Sequence, residues 1–481
     1  MFLGLEYDMG EFDMTTAVRR RFGGRRHDMD MTSGSIVKNL LLFALPLLIG
    51  NLFQQLYNMV DTWVIGQTGN TGAFAAVGSV GPIINIMIGL FSGLASGAGV
   101  VISRYFGAKE EDKVGRAVHT SMVVTLLLSV IFTVLGVALS PLAVRLMLKG
   151  EEGAIYPHAV TYLTIYFAGI VGLLVYNMGS GILRAVGDSR HPFYYLIVSA
   201  VTNIILDLLF VFVLDMGVAG VAWATVIAQL LSAALTVITL LRTPTCVRLS
   251  LRKLGIDRGI LKKIVLIGTP AALQMALTAF SNVFVQSYIA GVNMDQEIAL
   301  GGWTAYSKID MFLFLPSQSL SMAATTFVGQ NLGAGDAPRA RRGVMAAFLM
   351  AMAVTIPAIG LLELTAPWLA AIFNDDPGVV DCAAMLLRYI TPFYLFTCAN
   401  QIFAAGLRGA GNTTAPMVIM LTSFVGFRQL YLFVMSTFIS NDLIPVAMGY
   451  PAGWALCCLC MSLYYFTYRF RADEKKETAT N

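Results

Sequence analysis

Residues 36–66 read IVKNLLLFALPLLIGNLFQQLYNMVDTWVIG, and after Lys38 the only charge in the stretch is Asp61. About 20 apolar residues in a helix cross the hydrocarbon of a bilayer, so this segment is long enough to span it and carries one carboxylate inside. The pattern continues down the chain. Of the 481 residues 57% are apolar and only 12% charged, with mean hydropathy +0.72, whereas soluble domains carry about a quarter charged residues. Backbone in hydrocarbon must satisfy its own hydrogen bonds, so spans are helices or strands of a closed barrel that alternate over about ten residues. Here the apolar runs are long and continuous, which makes the chain an all-α polytopic membrane protein.

Charges and turn residues divide it into twelve spans, near 36–66, 73–103, 115–140, 155–178, 192–214, 217–241, 263–291, 298–328, 343–367, 380–405, 415–440 and 444–468. Basic residues mark the connections that stay in the cytoplasm. The N-terminal tail holds Arg19, Arg20, Arg21, Arg25 and Arg26. Alternate connections hold Arg104, Lys109, Lys113 and Arg116, then Arg184 and Arg190, then the run from Arg242 to Lys263, then Arg339, Arg341 and Arg342, then Arg408. The C-terminal tail adds Arg469, Arg471, Lys475 and Lys476. Opposite connections hold only Arg145 and Lys149, beside acids such as Asp215, Asp295, Glu297, Asp375, Asp376 and Asp442. Both termini are therefore expected to be cytoplasmic, in a multi-pass protein of the cell membrane. The net charge of +4 is topology, not a sign of nucleic acid. Residues 1–30 lack the apolar core of a targeting peptide. MTSGSIVKNL from Met31 resembles a natural start, so the tail before it is expected to be dispensable.

The six cysteines, Cys246, Cys382, Cys398, Cys457, Cys458 and Cys460, show no metal spacing with histidine and read as small apolar residues. The four histidines, His27, His119, His158 and His191, lie in the tail or near span ends, which speaks against a metal enzyme. No GK dipeptide occurs, so the phosphate-binding P-loop is absent and ATP is not the direct driver.

An internal repeat is visible at long period. GILRAVGDSRHPF from Gly181 returns as AGLRGAGNTTAPM from Ala405, so Arg184, Gly187 and Pro192 recur as Arg408, Gly411 and Pro416, and Pro46 recurs as Pro270 at the same shift. SRYFGAKEED is echoed by GQNLGAGDAP. Helix termination accounts for the residue types: a basic last turn, a glycine cap, a proline to start the next helix. Two halves of six spans follow: residues 31–241 and 263–468, joined by a cytoplasmic linker at 242–262, with tails at 1–30 and 469–481. Six being even, the halves enter the membrane in the same direction, related by an axis along its normal. A cavity between two such lobes, opening to one side at a time, is a transporter's solution.

The polar residues inside the spans name a candidate site. Asn203 and Asp207 are four apart and share one face of span 5. Asp207 and Thr225 each lie eight residues from the turn at Asp215–Gly217, roughly 12 Å below it. Asp61 lies five residues before Gly66, at the same end. A carboxylate in a span costs about 2.5–3.5 kcal/mol on insertion scales and faces a partner or a water-filled cavity. No basic residue occurs at this depth in spans 1, 2, 5 or 6, which disfavours a satisfied ion pair. Two neighbouring carboxylates resist double ionisation and so hold a proton, or with Asn203 and Thr225 a hard monovalent cation. In the second half the repeat puts Val285, Phe427 and Tyr431 opposite Asp61, Asn203 and Asp207. That half instead carries Lys308, Asp310 and Arg428, and a buried pair between Asp310 and Arg428 is expected, with substrate binding as the alternative role.

ALPLLIGNLFQQLYNMVDTWVIG, GLFSGLASGAGVVISRYFGA, LRAVGDSRHP, and NIILD with Thr225 eighteen residues on, together with their echo, resemble the multidrug and toxic compound extrusion (MATE) family from about residue 32 to 470. The resemblance implies twelve helices in two lobes and export of amphipathic, often cationic, compounds. It also implies that Asp61, Asn203, Asp207 and Thr225 bind a coupling proton or sodium ion, with no cofactor beyond it. ALQMALTAFSN in span 7 lacks the carboxylate some members carry there. The partners expected are membrane lipid and small amphipathic substrates, without nucleic acid, to a chain that acts as a monomer. The alternatives are a major facilitator-type transporter, which GAKEEDKVGR approaches with imperfect spacing, or a lipid or polysaccharide flippase.

Overall fold

The computed structural model describes residues 29–67, 71–148, 153 and 155–470; the tail arginines before Met29, His27, Lys149, Arg471, Lys475 and Lys476 lie outside them. Helix α1 is Ile36–Gly66, α2 Thr71–Gly107 and α3 Glu111–Met147. Two helical pieces form α4, Ile155–Ala168 and Ile170–Ala185. Helix α5 is Arg190–Leu208, α6 Gly217–Arg242, α7 Arg258–Ala290, α8 Gln296–Gly333 and α9 Ala337–Ala371. Span α10 joins Pro377–Ile390 to Tyr394–Gly409. Span α11 begins with Thr414–Leu421 and resumes with Arg428–Val434. Leu443–Ala447 and Gly449–Thr467 make α12. Eleven of these are long and apolar enough to cross a membrane, and the bent α4 makes the twelfth.

The sequence's punctuation explains where the helices stop and bend. Ser35, Asp257, Asp295, Asp336 and Asp376 cap α1, α7, α8, α9 and α10, each side chain accepting a backbone N–H of the first turn. The repeated arginine, glycine and proline are terminators, as their chemistry suggests. Gly187 and Gly411 both sit at positive φ, +89° and +79°. Their following residues close the helix backward, Asp188 N–H to Leu183 O at 3.0 Å and Asn412 N–H to Leu407 O at 2.9 Å. Span α4 bends by 48° at Gly169. A Cβ there would meet Val226 Cγ1 at 2.2 Å, so the glycine lets α4 lie on α6.

Two lobes result, but their cores exchange a segment. Leu40, Phe43 and Leu47 of α1 pack with Phe327, Val344, Phe403 and Tyr465 of the second half. Reciprocally, Ile260 and Ile264 of α7 pack with Ile102, Met122 and Ile182 of the first. The most extensive helix pair in the molecule is α2 with α7. Glycines permit it: a side chain at Gly93 would lie 2.2 Å from Ala272 N and at Gly97 2.6 Å from Gly268 Cα, and α2 meets α8 as closely, a side chain at Gly107 lying 1.9 Å from Gln330 O. Gly333 approaches Arg104 in the same way. These contacts lie toward the helix ends that carry the basic connections, and there the lobes are packed together.

The segment before α1 bridges the lobes at that end. Met29 N–H donates to Val186 O at 3.1 Å and Met31 N–H to Gln330 Oε1 at 3.0 Å. Arg339 donates to the carbonyls of Met31, Ser33 and Gly34. Met29 and Asp30, which the sequence reading counted with the tail, therefore join the folded body.

Candidate functional site

Helix α1 packs along α5, and a small residue sets their spacing: a Cβ on Gly50 would lie 3.2 Å from Leu196 Cδ2. The two helices run in the same direction, so residues at a constant sequence offset stay level. Asp61 and Asp207 stand at the same offset as Gly50 and Leu196. Their carboxyl groups accordingly face each other within hydrogen-bonding reach.

What surrounds this pair is unusual for buried polar groups, more than nine-tenths of which are normally hydrogen-bonded. Asp207 is 0% and Asn203 1% exposed. Among the described residues no donor reaches Asp61 Oδ1 or either Asp207 oxygen, and neither polar atom of the Asn203 amide has a partner. Two ionised carboxylates are acceptors only, so they cannot hydrogen-bond each other. A proton on one of them would let the two hydrogen-bond each other, and a cation between them would balance their charge.

Aromatic hydroxyls close the site. Tyr162 of α4 faces Thr225 and lies within electrostatic range of both carboxyl groups, as Tyr57, one turn earlier on α1, lies within range of Asp61. The Thr225 hydroxyl also donates to Val221 O at 3.0 Å. Thus Asp61 and Asp207 meet directly, Asn203 is buried a turn below Asp207, and Thr225 joins through Tyr162. The sequence reading missed Tyr57 and Tyr162. A signal existed, since Tyr57 precedes Asp61 by four residues on one helix face. Immediately after Asp207 the helix widens into a π turn, Leu209–Val213, and the second half has its counterpart at Met435–Ile439. Such π turns often accompany functional positions.

The second half does not make the expected Asp310–Arg428 pair. Arg428, 2% exposed, donates to Ser281 Oγ at 2.8 Å and Asn282 Oδ1 at 2.9 Å and lies 4.6 Å from the Tyr450 ring centroid. Asp310 accepts from the Tyr306 hydroxyl at 3.0 Å. Each group finds a partner nearer in the packing, Arg428 on α7 and α12 through its terminal nitrogen and ring contact, with Nε unpaired among the described residues, and Asp310 on its own helix. Charge alone could not reveal that choice. Among the described residues no three His, Cys, Asp or Glu side chains gather as metal ligands, and no disulfide joins the six cysteines.

The MatE family model matches twice, over residues 46–209 and 270–434, which is the internal repeat found in the sequence. The chain belongs to the MATE family. It is thus a multi-pass membrane transporter rather than an enzyme. Among curated relatives of this MATE protein, the probable multidrug resistance protein YoeA of Bacillus subtilis is 28% identical over 90% of this chain and 94% of its own. The probable multidrug resistance protein NorM of Thermotoga maritima is 26% identical over 86% and 89%. A MOP superfamily transporter from Pyrococcus furiosus, described as having a binding pocket of reverse polarity, aligns with TM-score 0.86 at 23% identity, over 91% of this chain and 96% of that one. The outward-facing conformation of a multidrug resistance MATE transporter gives the same score and identity over the same shares. These structural likenesses concern the fold.

Proposed function

We propose that this MATE protein exports amphipathic, often cationic compounds across the cell membrane in exchange for H⁺ or Na⁺, with both termini in the cytoplasm. The observation that carries the proposal is the Asp61–Asp207 pair, in which Asp207 is fully buried and no donor among the described residues reaches either of its oxygens or Asp61 Oδ1. Such a pair resists double ionisation, so it takes up a proton or cation and gives it back when its surroundings open to the other side. Tyr162 and Thr225 add neutral oxygens beside it. The basic loops bias the orientation, and the two lobes supply rigid bodies that rock about the site.

Energised membrane vesicles loaded with a fluorescent lipophilic cation test this reading. Efflux is expected to stop when an ionophore dissipates the proton or sodium gradient and to continue under ATP depletion with the gradient held. One imported charge contributes about 2.3 kcal/mol per 100 mV. Efflux that persists without any ion gradient but stops without ATP would overturn the proposal.

A further inference from the structure

Where α7 packs on the first lobe, a narrow crevice is lined by Phe91, Leu94 and Ala95 of α2, Ser121, Val124, Thr125 and Leu128 of α3, Leu174 and Met178 of α4, and Leu261, Ile264 and Val265 of α7. Val265 is 42% exposed, and its neighbours Leu266 and Leu127 are 61% and 53% exposed, so the mouth faces the membrane. The α3 residues fall at i, i+3, i+4 and i+7, one continuous stripe about 10 Å long.

One lining residue is out of place in an apolar slot. The Ser121 hydroxyl, 1% exposed, has no hydrogen-bond partner among the described residues, whereas Thr125 beside it donates to Ser121 O at 2.8 Å. Its depth explains it. Ser250 N–H donates to His119 Nε2 and Asp257 N–H to Thr120 Oγ1, each at 3.0 Å, so the connection before α7 lies level with residues 119–120. Ser121 is thus at the boundary between polar connection and hydrocarbon. Level with it, Arg258 stands on the α7 face of Leu261 and Val265, three and seven residues earlier, and Lys262 one turn further in adds a second cation; both are exposed, and long basic side chains near a helix N-terminus direct their charges back toward the headgroups. Asp257, the nearest acid, is engaged. Ile260 N–H and then Arg116, 3.0 Å away, hold its carboxyl below the usual carboxylate range.

We propose that this crevice binds one acyl chain of an anionic phospholipid, with its ester carbonyl at the Ser121 hydroxyl and its phosphate at Arg258 and Lys262. An apolar stripe, a lone donor at ester depth and two cations at headgroup depth reproduce the order of groups along such a lipid. Because the walls come from α2–α4 on one side and α7 on the other, the chain wedges at the place where the second half lends α7 to the first lobe's core.

The test is native mass spectrometry of the purified full-length protein, titrated with dioleoyl phosphatidylglycerol or dioleoyl phosphatidylcholine. One phosphatidylglycerol is expected to bind about tenfold or more tightly than phosphatidylcholine. The double variant Arg258→Gln, Lys262→Gln, altered only at exposed positions, should lose that preference. Ser121→Ala should weaken both lipids, and Val124→Trp, filling the slot, should abolish retention. Equal affinity for the two lipids in the wild type, or an undiminished preference in the Arg258→Gln, Lys262→Gln variant, overturns the proposal.

Discussion

The Gln330 side chain joins three parts of the molecule at once: Oε1 accepts from Met31 N–H at 3.0 Å and Nε2 donates to Ala185 O at 3.0 Å. Gln330 is 0% exposed, as is Met31. A single amide thus ties the second lobe to the segment before α1 and to the end of α4 in the first lobe.

Replacing Gln330 by Ala leaves a buried donor and a buried acceptor unpaired, at about 1–3 kcal/mol each. The variant should unfold at lower temperature, and Gln330→Glu, which keeps the acceptor for Met31 but sets a buried carboxylate oxygen against Ala185 O, should lose at least as much. Thermal unfolding followed by tryptophan fluorescence checks this. Removing residues 1–28 should be tolerated, while removal of residues 1–34 should destabilise, because Met29, Met31, Ser33 and Gly34 supply the lobe contacts. Equal stability of the two truncations would contradict it.

Close packing of α2 on α7 depends on glycine. Gly93→Leu should push these helices apart, since even a Cβ would lie 2.2 Å from Ala272 N. In a background without native cysteines, Ser103→Cys, at a position 1% exposed, should resist a water-soluble maleimide and become reactive when Gly93→Leu is added. Unchanged protection would show that the lobes pack without that approach.

Arg428 and Asp310 should behave as separate sites. Arg428→Met loses two charged hydrogen bonds and its place over Tyr450, at about 2–4 kcal/mol. Asp310→Asn keeps an acceptor for Tyr306 and should cost under about 1 kcal/mol. The double variant should be near additive, whereas a direct buried pair would show recovery when both charges are removed. A stability cycle on the purified variants distinguishes the two.

The twelve spans, the repeat and the carboxylate pair were legible in the sequence because each has a one-dimensional signature. A run of apolar residues, a recurring arginine and glycine, and an acid in a span need no knowledge of partners. The exchange of α1 and α7 between lobes was not legible, since Leu40 and Ile264 look like any apolar span residue and only packing assigns them. Gly93 and Gly107 carry meaning through residues far along the chain. Arg428 was misread for the same reason: its partners Ser281 and Asn282 are neutral, so charge matching passed over them. Tyr162 escaped because an aromatic residue in an apolar span has no one-dimensional mark, and only the packing of α4 brings it toward Thr225.

The central claim is that Asp61 and Asp207 jointly carry the coupling ion. Asp61→Asn and Asp207→Asn should each insert and fold, because removing a buried charge lowers the insertion cost. Neither should move substrate against a gradient, although substrate binding to purified protein should persist. The decisive measurement is efflux of a lipophilic cation from energised vesicles carrying the Asp61→Asn, Asp207→Asn double variant, compared with wild type at equal membrane abundance. The account predicts efflux at the level of empty vesicles; efflux at the wild-type rate, driven by the same ion gradient, would contradict it.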